Sequence, residues 1–112
     1  MIKSIAMMKR KPGISHEEFV RYYEEVHAPL GLKHFPFARY VRNFVKPIPG
    51  QEEPPFDVIT EFWFANEDDH RKALEFNATP AAKIFREDED RFMDSSKTVG
   101  YLVDERESKI LR

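Results

Sequence analysis

The chain has no cysteine. That excludes disulfides, thiolate nucleophiles and Cys-ligated zinc, and leaves the redox compartment open. No nucleophile triad, phosphate loop or dinucleotide fingerprint occurs in it. No apolar run approaches the roughly 18 residues that a membrane span needs. The first apolar stretch is broken by Lys3 and Lys9 and is too short for a signal peptide, so a cytoplasmic location with no membrane partner is expected. Charge of one sign is also lacking, with 18 basic against 20 acidic residues and a net charge of -2. No nucleic-acid partner is therefore expected. The one basic cluster, Lys9-Arg10-Lys11, runs into Pro12-Gly13 and reads as a solvated strand end.

What remains is a chain of 112 residues, 41% apolar and 34% charged, the profile of one globular domain spanning residues 1–112. A core this small leaves much surface exposed and gains from burying a face against a second copy. Aromatic residues make up 13%, mostly phenylalanine, which points to a core of large flat side chains or to a pocket for an apolar or aromatic ligand.

Residues Lys3 to Lys9 read as a strand with Ile5 and Met7 on one face and Ser4, Ala6 and Met8 on the other. After Pro12-Gly13, Ser15 and Glu18 form a capping box for a helix, with Ile14 and Phe19 as a hydrophobic staple. Phe19, Tyr22, Tyr23 and Val26 share one stripe, and Pro29 predicts that the helix ends near His27. Strands are expected over Ala38 to Lys46 and Asp57 to Ala65, separated by a proline-rich loop. In the second of these, Val58, Thr60, Phe62 and Phe64 should face the helices, with Asp57, Ile59, Glu61 and Trp63 opposite. Asn66 caps a helix through Phe76, and Thr79-Pro80 opens another that uses Ile84, Phe85, Phe92 and Met93 as its apolar side. The acidic run Glu87-Asp88-Glu89-Asp90 has the composition of a metal site. Four consecutive side chains fan around a helix, however, and the run reads as a solvated face. Thr98 to Val103 forms the last strand, followed by a charged tail.

This order predicts an α+β, ferredoxin-like βαββαβ fold with a four-stranded antiparallel sheet and helices on one face. The bare face is expected to carry Tyr40, Arg42, Glu61 and Trp63, and two such faces together would close a dimeric alpha-beta barrel.

The segments KRKPGISHEEFVRYYEEVHAPL, DVITEFWF and EDRFMD together resemble the EthD family of small dimeric alpha-beta barrel proteins, over roughly Ile2 to Val103. Relatives by fold include lactone isomerases, polyketide cyclases, cofactor-free monooxygenases and small decarboxylases. The resemblance matches His27, Pro29, Asn43, Asp57, Asp90 and Phe92 to family positions. Many relatives place a histidine after the strand asparagine, where this chain has Phe44.

His27 is the only histidine whose position looks arranged, at a helix terminus beside a pocket. It is the candidate general base or acid, with Glu61 or Asp57 to orient it or take a second proton. Tyr40, Arg42 or Asn43 would stabilise an enolate oxygen, and Trp63 with phenylalanines such as Phe92 would hold a ring. No cofactor or metal is expected, since the spacing of His27, His34 and Asp57 matches no ligand pattern. The expected activity is that of a lyase, isomerase or cyclase on a small cyclic, aromatic or polyketide-like compound. A cofactor-free monooxygenase of phenols and a non-catalytic dimer are the alternatives.

Overall fold

The computed structural model describes residues 1–111. Strand β1 (Ile2–Met8) leads to α1 (His16–Tyr22), where the Ser15 side chain accepts a hydrogen bond from the Glu18 N–H at 3.1 Å. The helix does not stop near His27. It passes through a π-helical turn, Tyr23–His27, into α2 (Ala28–His34). Proline has no N–H and crowds the carbonyl four residues back. Here the turn before Pro29 is already widened, with the Ala28 N–H donating to Tyr23 five residues earlier, so the chain accommodates proline without leaving the helix. The wider turn also moves residues three apart off a common face. Val26, expected in the stripe, is 42% exposed, and His27 turns inward beneath Tyr23.

Strands β2 (Arg39–Phe44), β3 (Val58–Phe64) and β4 (Val99–Val103) complete a four-stranded antiparallel sheet of order β2-β3-β1-β4. The split βαβ topology follows the α+β expectation. The barrel does not: β2 and β4 are separate edges and the sheet stays open, as a sheet of four strands must when closure takes about eight.

Register settles the faces. Val58, Thr60, Phe62 and Phe64 face the helices, while Ile59, Glu61 and Trp63 lie opposite, as strand alternation predicts. Tyr40 and Arg42 pair with Phe62 and Thr60 and so stand on the helix side rather than on the bare face. Their strand alternates large polar and apolar residues on both sides, so its own pattern leaves the phase open and the pairing with β3 fixes it.

Two further helices, α3 (Glu67–Asn77) and α4 (Lys83–Phe92), cover the rest of the helix side. Asn66 caps α3 through a 2.8 Å bond from the Asp69 N–H. The C-terminus of α4 is stitched to the strand extension, with the Lys11 N–H donating to Phe92 at 2.8 Å and the Asp94 N–H to Lys9 at 2.9 Å. This fixes α4 beside α1 and closes the core of Met8, Phe19, Tyr23, Val58, Phe92 and Met93. The basic cluster is not a solvated end. Lys9 and Arg10 hold Glu53 and Asp57, tying down the proline-rich loop.

Candidate functional site

On α4, Phe85, Asp88 and Phe92 fall at i, i+3 and i+7 and form one buried stripe. Asp88 is therefore carried into the interior opposite the π turn. One of its oxygens lies 2.9 Å from His27 Nδ1, and the other accepts from the Tyr22 hydroxyl at 2.5 Å and from Arg91 at 3.3 Å. An acceptor at Nδ1 makes that nitrogen the proton-bearing one, which leaves Nε2 with a lone pair. Burial pushes the His27 imidazole below the ordinary histidine range, and the opposing pull of the Asp88 bond and charge does not overcome it. Near neutrality the ring is a base in waiting.

His27 forms part of the wall of a cavity of about 200 Å³ between the helices and the sheet. Phe35, Phe37, Phe62, Phe64 and Phe85 line it together with Tyr40 and Glu89. Tyr40 donates its hydroxyl to Tyr23 at 2.9 Å, and Tyr23 meets Thr60 Oγ1 at 2.9 Å. Burial raises the pKa of both phenols, so they act as a fixed hydrogen-bond chain and not as proton donors near neutrality. Burial first, and then the charges of Asp90 and Asp88, push the Glu89 carboxyl above the ordinary glutamate range.

The residues singled out from the sequence are distributed over five places. His27 and Tyr40 meet at the cavity. Phe92 lies under His27, with ring centroids 5.1 Å apart, as core and not as cavity wall. Arg42 crosses the outside of the Tyr40 ring and pairs with Glu24 at 2.7 and 2.9 Å. Glu61, Asn43 and Trp63 lie on the opposite face of the sheet, so none of them reaches His27. Glu61 is held there by Lys3 at 2.6 Å and Asn43 at 2.9 Å, which depress its pKa, and Trp63 is covered by Lys3 and Arg39, each 4.5 Å from its ring. Asp57 sits at the far end of β3. Burial works against its charge, but the Arg10 N–H at 2.8 Å, His16 at 2.8 Å and the Arg10 side chain at 2.9 Å outweigh that and hold its carboxyl below the usual range.

Asp88 and Glu89 are the two site residues that the reading of the acidic run passed over. The signal was the spacing of Phe85 and Phe92, which puts position 88 on their stripe and position 89 at its edge. Phe44, in the place where many relatives have histidine, packs its ring against Tyr23 at 5.7 Å and Phe19 at 6.4 Å.

An open ferredoxin-like sheet with helices on one side, and a buried histidine, aspartate and tyrosine cluster beside a cavity on that side, gives an α+β scaffold with room for a small molecule. The chain belongs to the EthD family, whose EthD domain matches residues 11–96. No curated protein sequence matches it. Its fold is similar to that of an ethyl tert-butyl ether d (ethd) family protein from Bacillus halodurans, with 18% identity, a TM-score of 0.68 and coverage of 95% of this chain and 100% of that one. It is also similar to the At3g17210 protein of Arabidopsis thaliana, at 16% identity and TM-score 0.66, covering 98% of this chain and 100% of that one. A dimeric protein of unknown function and ferredoxin-like fold from Bacteroides fragilis matches at 18% identity and TM-score 0.53, over 91% of this chain and 95% of that one. Among the described residues no helix is long and apolar enough to cross a membrane.

Proposed function

We propose that the protein binds a small ring compound in the cavity and moves a proton on it, as a lyase, isomerase or cyclase working by histidine acid–base chemistry. The observation that carries this is His27, paired with Asp88 behind it, at the wall of a cavity rich in phenylalanine. A cavity of about 150 Å³ takes up benzene in another protein, so the volume here suits a single ring with small substituents. In this reading His27 Nε2 takes a proton from a carbon beside a carbonyl. The C–H electrons become the carbon–carbon double bond of an enolate, the carbonyl π electrons move onto its oxygen, and His27 becomes an imidazolium paired with Asp88. Where the ring carries a double bond conjugated to that enolate, return of the proton from His27 Nε2 to the far end of the conjugated system re-forms the carbonyl and completes an isomerisation.

The test is hydrogen–deuterium exchange at the α-carbons of cyclohexanone in heavy water, followed by proton NMR. The wild-type protein is expected to accelerate exchange, and His27→Gln to lose about a hundredfold or more of that acceleration. A His27→Gln protein that exchanges at the wild-type rate removes the histidine from the chemistry.

The chain also pairs with a second copy through the open sheet face. Ile5, Met7, Val41, Ile59 and Tyr101 give that face an apolar character, with Ile59 37% and Tyr101 58% exposed. The fold relative from Bacteroides fragilis is dimeric. Sedimentation at micromolar concentration is expected to show a dimer, and a monomer alone would rule the pairing out.

A further inference from the structure

We propose that the cavity selects uncharged ring compounds and turns away carboxylates, and that Glu89 is the residue that enforces the choice. This rests on the cavity being the ligand site. Among the described residues no lysine or arginine lines it. The nearby cations are committed elsewhere: Arg42 to Glu24 outside the Tyr40 ring, Lys3 to Glu61 across the sheet, Arg91 to Asp88, and Arg86, whose charge acts on Glu89, to the Asn77 carbonyl at 3.2 Å. The histidines on the wall are His27, already engaged by Asp88, and His70, whose ring lies against Phe64 with centroids 5.2 Å apart. The neighbours of Glu89 have partners, Glu87 with Lys83 at 3.5 Å and Asp90 with Ser95 at 3.1 Å. The Glu89 side chain, half-buried on the wall, has no hydrogen bond or ion pair among the described residues, and only its backbone carbonyl is used, by the Met93 N–H at 2.7 Å.

A carboxylate entering this space would lose its hydration, find no cation, and stand near Glu89 with Asp88 behind. Burial without a counter-charge and like-charge proximity act in the same direction. An amide or ketone of the same shape brings no charge to desolvate or to repel. Glu89 thus admits neutral carbonyl compounds and disfavours their acid counterparts.

Benzamide and benzoate differ in charge and little in shape, and each can be titrated into ¹⁵N-labelled protein at pH 7 while the amide signals of Gly31 and Ala73 are followed. Benzamide is expected to bind about tenfold tighter than benzoate or better. Glu89→Gln, which keeps the shape and removes the acid, is expected to narrow the gap to about threefold or less by improving benzoate. Glu89→Ala gives the same narrowing without an amide in place of the acid. Equal binding of the two probes to wild type, or a gap unchanged in both variants, overturns the charge filter alone. If neither probe moves the cavity signals in any of the three proteins, the reading of the cavity as a ligand site fails with it.

Discussion

An Asp88→Asn protein is expected to lose about a hundredfold or more of its proton-transfer rate while remaining folded. Asp88 accepts from both Tyr22 and His27, and its charge and bond raise the basicity of a ring that burial depresses. Asparagine can turn its amide toward Nδ1, which places the ring proton on Nε2, the atom that has to receive the substrate's proton. Where Nδ1 keeps its proton, the loss of the neighbouring charge still lowers the histidine's pKa further, because both Asp88 contributions act upward. A shift of the His27 ring titration to lower pH, read by NMR, separates this effect from simple loss of structure. An unchanged exchange rate with an unchanged titration would show that Asp88 does not govern the ring.

The largest stability effect is expected from Phe92→Ala. Phe92 is 1% exposed, and its ring lies 5.2 Å from Phe19, 4.9 Å from Tyr22, 5.8 Å from Tyr23 and 5.1 Å from His27, measured between centroids. Truncation removes the side chain that joins α4 to α1 and opens a cavity between rings that cannot collapse onto it. The cost is about 3–5 kcal/mol, out of a total that for such domains is about 5–15 kcal/mol. Thermal melting should show a fall on the order of 15 °C. Phe92→Leu keeps most of the volume and should cost about 1.5 kcal/mol or less. A Phe92→Ala protein with wild-type stability and altered ligand affinity would instead make Phe92 a cavity residue.

The helix cap at Ser15, the core positions Phe19 and Tyr23 and both faces of β3 were legible in the sequence, because each depends on local hydrogen bonding or on strict alternation. The end of the first helix was not. Pro29 disfavours an ordinary α turn, and only the widened turn before it shows how the helix continues. The site was half legible. His27 stood out by its place in the chain, but its partner Asp88 lies 61 positions away and inside an acidic run, where composition hides the phase set by Phe85 and Phe92. Glu61 and Trp63 were rightly placed on one face and assigned to the cavity, which lies on the other. Alternation along a strand separates two faces without saying which one the helices leave hollow. Tyr40 and Arg42 show the same limit one strand further out, where only pairing with β3 fixes the phase.

Trp63 is the only tryptophan in the chain, and it is 7% exposed between the charged ends of Lys3 and Arg39, with the sheet separating it from the cavity. Its fluorescence is therefore an intrinsic gauge of one side of the molecule. Covering that side, or moving either cation, changes the emission of the indole, while a molecule entering among the phenylalanines on the other side leaves its surroundings in place. Light from this protein reports on what docks against the sheet, and the chemistry has to be followed through the histidine.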